Sequence, residues 1–148
     1  MKLIAVFLLT FSGFSIARAQ CDMNVREAFG GVCSITIYNT YITIGAIADA
    51  HVHDVYDANR VKELMGEQTS MLQTVIGLLE KCKVVKSNGL EAEDVQFVKD
   101  LTACLESLKA EAQDLSDYAI SKSEEAQTRY NTNRDKAWSQ IKALLGLE

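Results

Sequence analysis

The sequence contains no proline in its 148 residues. Proline is frequent in the turns between short strands, and it breaks the interior of a helix. Its absence argues against a turn-rich all-β domain and is compatible with long uninterrupted helices. We therefore predict an all-α protein.

An excess of basic residues is also lacking. Lys and Arg total 15 against 20 Asp and Glu, which gives a net charge of −5. A nucleic-acid-binding protein needs clustered basic side chains that displace counterions, so we expect no nucleic-acid partner. The hydrophobic fraction of 48% excludes a wholly disordered chain, and the length allows one domain.

The first residues have the layout of a cleaved secretory signal peptide. A positive start at Lys2 precedes a short apolar run, and small residues follow at Ala17 and Ala19. The run is shorter than the roughly 20 residues that cross a bilayer, and no later stretch is expected to be long and apolar enough. We predict that residues 1–19 are a signal peptide and that 20–148 form a single helical domain, secreted and without a transmembrane anchor.

All four cysteines, Cys21, Cys33, Cys82 and Cys104, lie beyond the predicted cleavage site. An even number in a secreted chain predicts two disulfides, with three possible connectivities. If the helices on either side of residues 87–89 pack antiparallel, Cys82 and Cys104 are too far apart for a bridge. This geometry favours bridges from the region of the first two cysteines to the last two. A structural zinc site is not expected, since there is no CxxC pair.

Residues 57–82 give the clearest helical signal. Mostly apolar side chains recur at spacings of three and four, as in one stripe of an amphipathic helix close to a coiled-coil seam. The stripe consists of Val61, Leu64, Gln68, Met71, Val75, Leu78 and Cys82. Leu72 and Leu79 widen it, and Gly89 favours an end of the helix nearby.

A second stripe of the same kind predicts another long helix. It consists of Val98, Leu101, Leu105, Leu108, Ala112, Leu115 and Ala119. Residues 121–136 are polar almost all round and form either a solvated extension of this helix or a frayed joint near Asn131. A final apolar group (Ala137, Trp138, Ile141, Leu144 and Leu145) predicts a short amphipathic helix that ends at Gly146.

The segment after Cys33 is ambiguous, because its Ile, Thr and Tyr residues favour a strand while their spacing favours a helix. A lone strand would have no partner. We therefore predict that residues 34–56 form a helix buried on more than one face, after a break at Gly30-Gly31. The helical pattern then continues to residue 65 with no breaker. The predicted architecture is a disulfide-stabilised bundle of three to four long antiparallel helices.

Few residues are candidates for chemistry. On a helix, Asp49, His53 and Asp57 recur every four residues, which permits a weak divalent-metal site, and His51 or His53 permits a pH switch. The simpler interpretation, which we prefer, is a polar helix face. No GxSxG, HExxH or phosphate-binding loop is present. We expect no catalytic residues, no bound metal and no cofactor.

The cysteine arrangement resembles the TsetseEP-type domain of dipteran secreted proteins. In that domain a signal peptide precedes an early cysteine pair, long helices and a later pair, and here Cys21/Cys33 and Cys82/Cys104 take those places. The Glu-Pro repeats of the founding member are absent. The resemblance implies a secreted gut or reproductive-tract protein with a non-enzymatic role, and it transfers no site residues.

Two regular apolar stripes without a reactive constellation predict a non-enzymatic extracellular protein that binds an unknown protein partner. A first alternative is a carrier of small apolar ligands, because Met65 and Met71 can line an adaptable cavity. A second is lipid-surface binding through the C-terminal amphipathic helix, where Trp138 has basic neighbours. The sequence leaves the oligomeric state open.

Overall fold

The structure is a computed structural model that describes the backbone over residues 12–84 and 92–147, and side chains over 28–81 and 92–147. These residues form four helices: α1 (Ser12–Val52), α2 (Ala58–Val84), α3 (Ala92–Ser121) and α4 (Glu124–Leu145). No strand occurs in the described ranges. The all-α prediction is confirmed, including the helix over the ambiguous segment. The predicted helix end at residues 87–89 lies outside the described part.

The chain divides into two compact units, Met1–Cys33 and Ser34–Glu148, and α1 runs through the boundary between them. The predicted break at Gly30-Gly31 is therefore wrong, because both glycines lie inside α1. Phe29 and Val32 in the first unit are exposed. The second unit contains the buried core.

Helix α3 is the centre of that core, since it packs against both α2 and α4. Its position explains why it is buried over much of its circumference. The buried side chains of α3 are Leu101, Thr102, Cys104, Leu105, Ser107, Leu108, Glu111, Ala112, Asp114, Leu115 and Ala119. The predicted stripe is confirmed apart from Val98, which is only partly buried.

Helices α3 and α4 form an antiparallel hairpin. Arg129 pairs with Asp114, and Arg134, further along α4, pairs with the earlier residue Glu111. The joint is at Lys122, which has a φ of 53°, and at Ser123, whose hydroxyl caps α4 by accepting from the backbone of Ala126. Both interpretations of residues 121–136 are therefore wrong, because the chain turns at 122–123.

The last helix ends where the sequence predicts. Gly146 adopts the left-handed conformation that a helix terminus favours, and its backbone N–H donates to the carbonyl oxygen of Lys142. Ala126, Tyr130, Ala137 and Ile141 are buried along one side of α4. The final apolar group is thus the end of a 22-residue helix rather than a short separate one.

A turn after Val52 separates α1 from α2, so the predicted continuous helix through residue 65 is wrong. Asp54 takes a φ of 58° there. The Asp57 side chain then accepts a 2.8 Å hydrogen bond from the backbone of Arg60, as an N-cap residue does. The sequence DANR (57–60) contains this cap, whereas helical periodicity alone does not reveal it.

Among the described side chains of α1, from residue 28 onward, the large apolar residues are buried on one face, which corrects the prediction of burial on more than one. Ile37, Ile44, Ile47 and Ala48 are buried, whereas Ile35, Tyr38 and Ile42 on the opposite face are exposed. Both faces carry isoleucine at helical spacing, so the sequence does not distinguish them.

The buried face of α2 differs from the predicted stripe. Its members are Val61, Met65, Leu72, Ile76 and Leu79. Met71, Val75 and Leu78 of the predicted stripe are exposed instead. Helix α2 therefore has two apolar faces, and α3 covers the one centred on Leu72 and Ile76.

Helix α1 also corrects the expectation that no stretch after the predicted signal peptide is apolar and long enough to span a membrane. The segment Ala28–Val52 meets both criteria, with a mean hydropathy of 1.3 and 22% burial. Its length and composition fit a membrane span as well as a protein-binding surface.

Candidate functional site

The residues predicted as possible metal ligands do not lie on one helix. Asp49 belongs to α1, His53 lies in the turn, and Asp57 caps α2. Among the described side chains no group of three or more His, Cys, Asp or Glu residues is placed to hold a metal ion. The His51 ring contacts the backbone of the turn, since its Nδ1 lies 2.9 Å from the carbonyl oxygen of Tyr56.

Two of the four cysteine side chains lie in the described part, and both are free thiols: Cys33, partly exposed, and Cys104, fully buried. The disulfide stabilisation predicted for the bundle is thus not supported there. The side chains of Cys21 and Cys82 lie outside the described residues. Burial raises the pKa of the Cys104 thiol to about 12 and also raises that of Cys33.

A buried ion pair joins α3 to α4 inside the core. Arg134 Nη1 donates a 2.7 Å hydrogen bond to Glu111 Oε1. The Glu111 side chain is 0% exposed and the Arg134 side chain 28% exposed. The second carboxyl oxygen, Glu111 Oε2, is buried without a hydrogen-bond partner. Burial raises the pKa of this carboxyl to about 7, although Arg134 acts in the opposite direction.

The same guanidinium connects α1 to the pair. Arg134 lies 4.2 Å from the centre of the Tyr41 ring, a cation–π contact. Tyr41 in turn stacks on Trp138, with ring centres 5.4 Å apart. Gly45 permits this approach, because a Cβ there would lie 2.5 Å from Arg134 Nη2. One arginine of α4 thus contacts both α1 and α3.

We expect Gly45→Ala to lower the free energy of unfolding by about 1–3 kcal/mol. The added methyl group displaces a guanidinium that Glu111 and Tyr41 hold in place. Gly66→Ala is the matched control, because nothing lies within 4 Å of a Cβ on Gly66, and it should raise the stability by about 0.5–1 kcal/mol. Urea unfolding measures both, and equal effects of the two substitutions would contradict the role of Gly45.

A second polar cluster lies one turn away in the hairpin. Asp114 accepts hydrogen bonds from Arg129 Nε at 2.9 Å and from Asn133 Nδ2 at 2.6 Å. Arg129 also reaches Asp117 at 3.3 Å. These contacts fix the register of α3 against α4.

Sequence reasoning missed Glu111 and Arg134, although a signal for Glu111 exists. Glu111 lies three residues after Leu108 and four before Leu115, so it is on the apolar stripe of α3. A carboxyl at such a position needs a buried partner. Arg134 gives no comparable signal, because it lies in the polar segment of residues 121–136.

Titratable groups also cluster near the pair, as an enzyme would require. Tyr130 is buried beside it, and burial raises the pKa of its phenol to about 12. The Glu111 side chain is 0% exposed. Through Arg134, the cluster connects α1, α3 and α4.

A small cleft lies elsewhere between α3 and α4, with a volume of about 170 Å³. It is lined by Asp100, Ala103, Gln140, Ala143 and Leu144. Small-molecule sites usually occupy about 300–1,000 Å³ and are mainly apolar. This cleft is smaller and has both a carboxylate and an amide in its wall.

The most prominent accessible surface of α1 is an apolar face. Ile35, Tyr38 and Ile42 are between 39% and 64% exposed. Thr43 lies beside this face, and its hydroxyl donates to the carbonyl oxygen of Asn39 four residues earlier. Because this hydroxyl is satisfied within the helix, it demands no polar partner from outside. We call Ile35, Tyr38 and Ile42 the α1 face.

Comparison with known proteins adds no assignment: no family model, curated protein or solved structure matches this chain.

Proposed function

We propose that the protein is a secreted, non-enzymatic interaction protein that binds a protein partner through the α1 face. The observation that carries the proposal is the exposure of Ile35, Tyr38 and Ile42 on the helix side opposite the core. Exposed apolar residues that form a continuous patch mark interaction sites more often than scattered ones do.

The charge pattern of α1 supports a protein partner. No charged residue occurs from Ala28 to Ala48, a stretch bounded by Glu27 and Asp49. The central parts of protein interfaces are depleted in charge and enriched in aromatic residues. Tyr38 supplies the aromatic anchor, with its ring 6.4 Å from that of Trp138.

The two alternative functions have less support. A carrier needs a larger apolar cavity than the cleft beside Gln140, which is the cleft found among the described residues. Lipid binding through the C-terminal helix needs its apolar side to be free, but Ala137 and Ile141 are buried and Trp138 stacks on Tyr41.

Secretion rests on the signal-peptide layout and on the resemblance to the TsetseEP-type domain. It predicts that the exported chain begins at Gln20. Oxidation of the four cysteines to two disulfides is the accompanying proposal. Since the Cys104 thiol is buried, a bridge to it has to form before α3 is packed. Intact-mass measurement of the unreduced, secreted protein tests this, and four alkylatable thiols after denaturation would disprove it.

The binding proposal is tested with the secreted full-length product and two variants. Ile35→Thr/Ile42→Thr keeps β-branched side chains but removes apolar surface from the α1 face. Ile120→Thr is the matched control, since Ile120 is exposed on α3. Partners are captured from the extracellular fluid of the producing tissue, and binding of each purified candidate is then measured by calorimetry.

The expected result is a partner retained by the parent and by Ile120→Thr, with at least tenfold weaker binding to the double variant. Equal binding by all three would overturn the α1 face as the site. If no protein partner is found, and the parent floats with liposomes while the double variant does not, lipid binding would replace protein binding as the proposed function. Saturable displacement of a fluorescent apolar probe at one site per chain would instead support the carrier.

A further inference from the structure

A second apolar face, on α2, is separate from the α1 face and has no role in the proposed function. Met71, Val75 and Leu78 are between 40% and 56% exposed. They follow one another at spacings of four and three, so they form one stripe on the helix surface. The partly buried residues Leu64 and Gln68 extend the stripe toward the start of α2. We call Met71, Val75 and Leu78 the α2 face.

The α2 face is distinct from the side that packs on α3. Leu72, Ile76 and Leu79 each follow a member of the face by one residue, which corresponds to a rotation of about 100° around the helix. Those three residues are buried, so α3 covers one side of α2 and leaves the neighbouring side uncovered. The spacing of the face matches that of a coiled-coil seam.

Two charges of opposite sign lie along the edge of the α2 face that is farther from α3, at equal distances from Thr74. Glu67 lies seven residues before Thr74, and Lys81 lies seven residues after it. All three are exposed and fall on one edge of the helix, because seven residues make almost two turns. If a second α2 helix runs in the opposite direction and is centred at the same Thr74, its basic position therefore lies where the acidic position of the first helix is.

We propose that the α2 face packs antiparallel against the α2 face of a second copy of this chain. In a two-fold arrangement centred beside Gln73 and Thr74, Val75 of one copy faces Met71 of the other. The same symmetry places Glu67 of each copy opposite Lys81 of the other, so two ion pairs form at once. The interface is isologous, as a two-fold dimer requires.

The charge pattern favours the antiparallel orientation over a parallel one. In a parallel two-fold pairing the edges that carry Glu67 and Lys81 lie on opposite flanks of the interface, so neither ion pair forms. Exposed ion pairs contribute little affinity, but opposite charges select orientation and like charges reject it. The apolar residues between the pairs supply the affinity.

Sedimentation equilibrium of the secreted full-length protein tests the proposal. We expect a monomer–dimer equilibrium at concentrations up to about 100 μM. Met71→Ser/Val75→Ser should make the protein monomeric, while Ile120→Ser, at an exposed position on α3, should leave the dimer unchanged. Circular dichroism establishes that each variant is folded.

Charge reversal tests the antiparallel register. Glu67→Lys or Lys81→Glu alone should weaken the dimer severalfold, because each creates two like-charged pairs. The double variant Glu67→Lys/Lys81→Glu should restore the parental dissociation constant. A monomeric parent, or a double variant as weak as the single ones, would overturn the proposal. So would a dimer that Ile35→Thr/Ile42→Thr dissociates while the α2 variants do not.

Discussion

Replacement of Arg134 by methionine is expected to lower the free energy of unfolding by about 3 kcal/mol at pH 8, and by much less at pH 5. Methionine retains the apolar stem of the side chain but removes the hydrogen bond to Glu111 and the contact with Tyr41. At pH 8 the substitution leaves the Glu111 carboxyl, which is 0% exposed, without its countercharge.

The pH dependence follows from the pKa of Glu111. Burial raises this pKa to about 7 in the folded protein, from the ordinary value of 4.5. Between these values the folded state binds more protons than the unfolded state, so stability falls as pH rises from about 4.5 to 7. At pH 5 the folded carboxyl is neutral, so the loss of Arg134 removes the hydrogen bond to Glu111 and the contact with Tyr41 but leaves no unpaired buried charge.

Urea unfolding at the two pH values measures this difference, with Glu111→Gln as the comparison. The Gln variant should lack the decrease of roughly 3 kcal/mol between pH 4.5 and 7 that the raised pKa gives the parent. Glu111→Leu/Arg134→Met should recover most of the stability that Arg134→Met loses, because the unpaired buried charge is removed. An equal effect of Arg134→Met at pH 5 and pH 8 would contradict the proposed titration.

Leu108→Ala is expected to destabilise the protein by about 3 kcal/mol at any pH. Leu108 is fully buried on the central helix, so its truncation leaves a cavity among neighbours that cannot all collapse into it. Ile120→Ala is the matched control on the same helix, where the side chain is more than half exposed, and its effect should be within about 0.5 kcal/mol.

Thermal and chemical unfolding, followed by circular dichroism, compare the two truncations. A loss below about 1 kcal/mol for Leu108→Ala, with unchanged cooperativity, would mean that α3 is not the centre of the core. A loss for Ile120→Ala as large as that for Leu108→Ala would mean that Ile120 is covered in solution.

The sequence predicts α3 well because this helix is buried over much of its circumference and its polar residues are separated by apolar ones at regular intervals. It predicts α2 less well, because Met71 and Leu72 belong to two apolar faces of similar character. Periodicity identifies such a helix but not the face that a neighbour covers. Which face is buried depends on α3, and that information is tertiary.

The same limit applies to the contacts of Arg134. Its partners Glu111 and Tyr41 are distant in the chain, and an arginine in a polar segment is ordinarily solvated. The glycine at position 45 indicates a close approach only once the neighbouring helix is known. Helix boundaries at Asp57 and Ser123 could be read from their capping residues, but a search for apolar stripes does not weigh them.

The two-residue joint between α3 and α4 has a consequence for the order of folding. Closing so short a loop costs little chain entropy, so the hairpin forms from contacts that are local in sequence. Tyr41, by contrast, stacks on Trp138, which is separated from it in sequence by most of the chain. During synthesis Tyr41 and Gly45 therefore reach Trp138 and Arg134 only after the last helix has emerged, and the apolar residues of α1 need protection from aggregation until then.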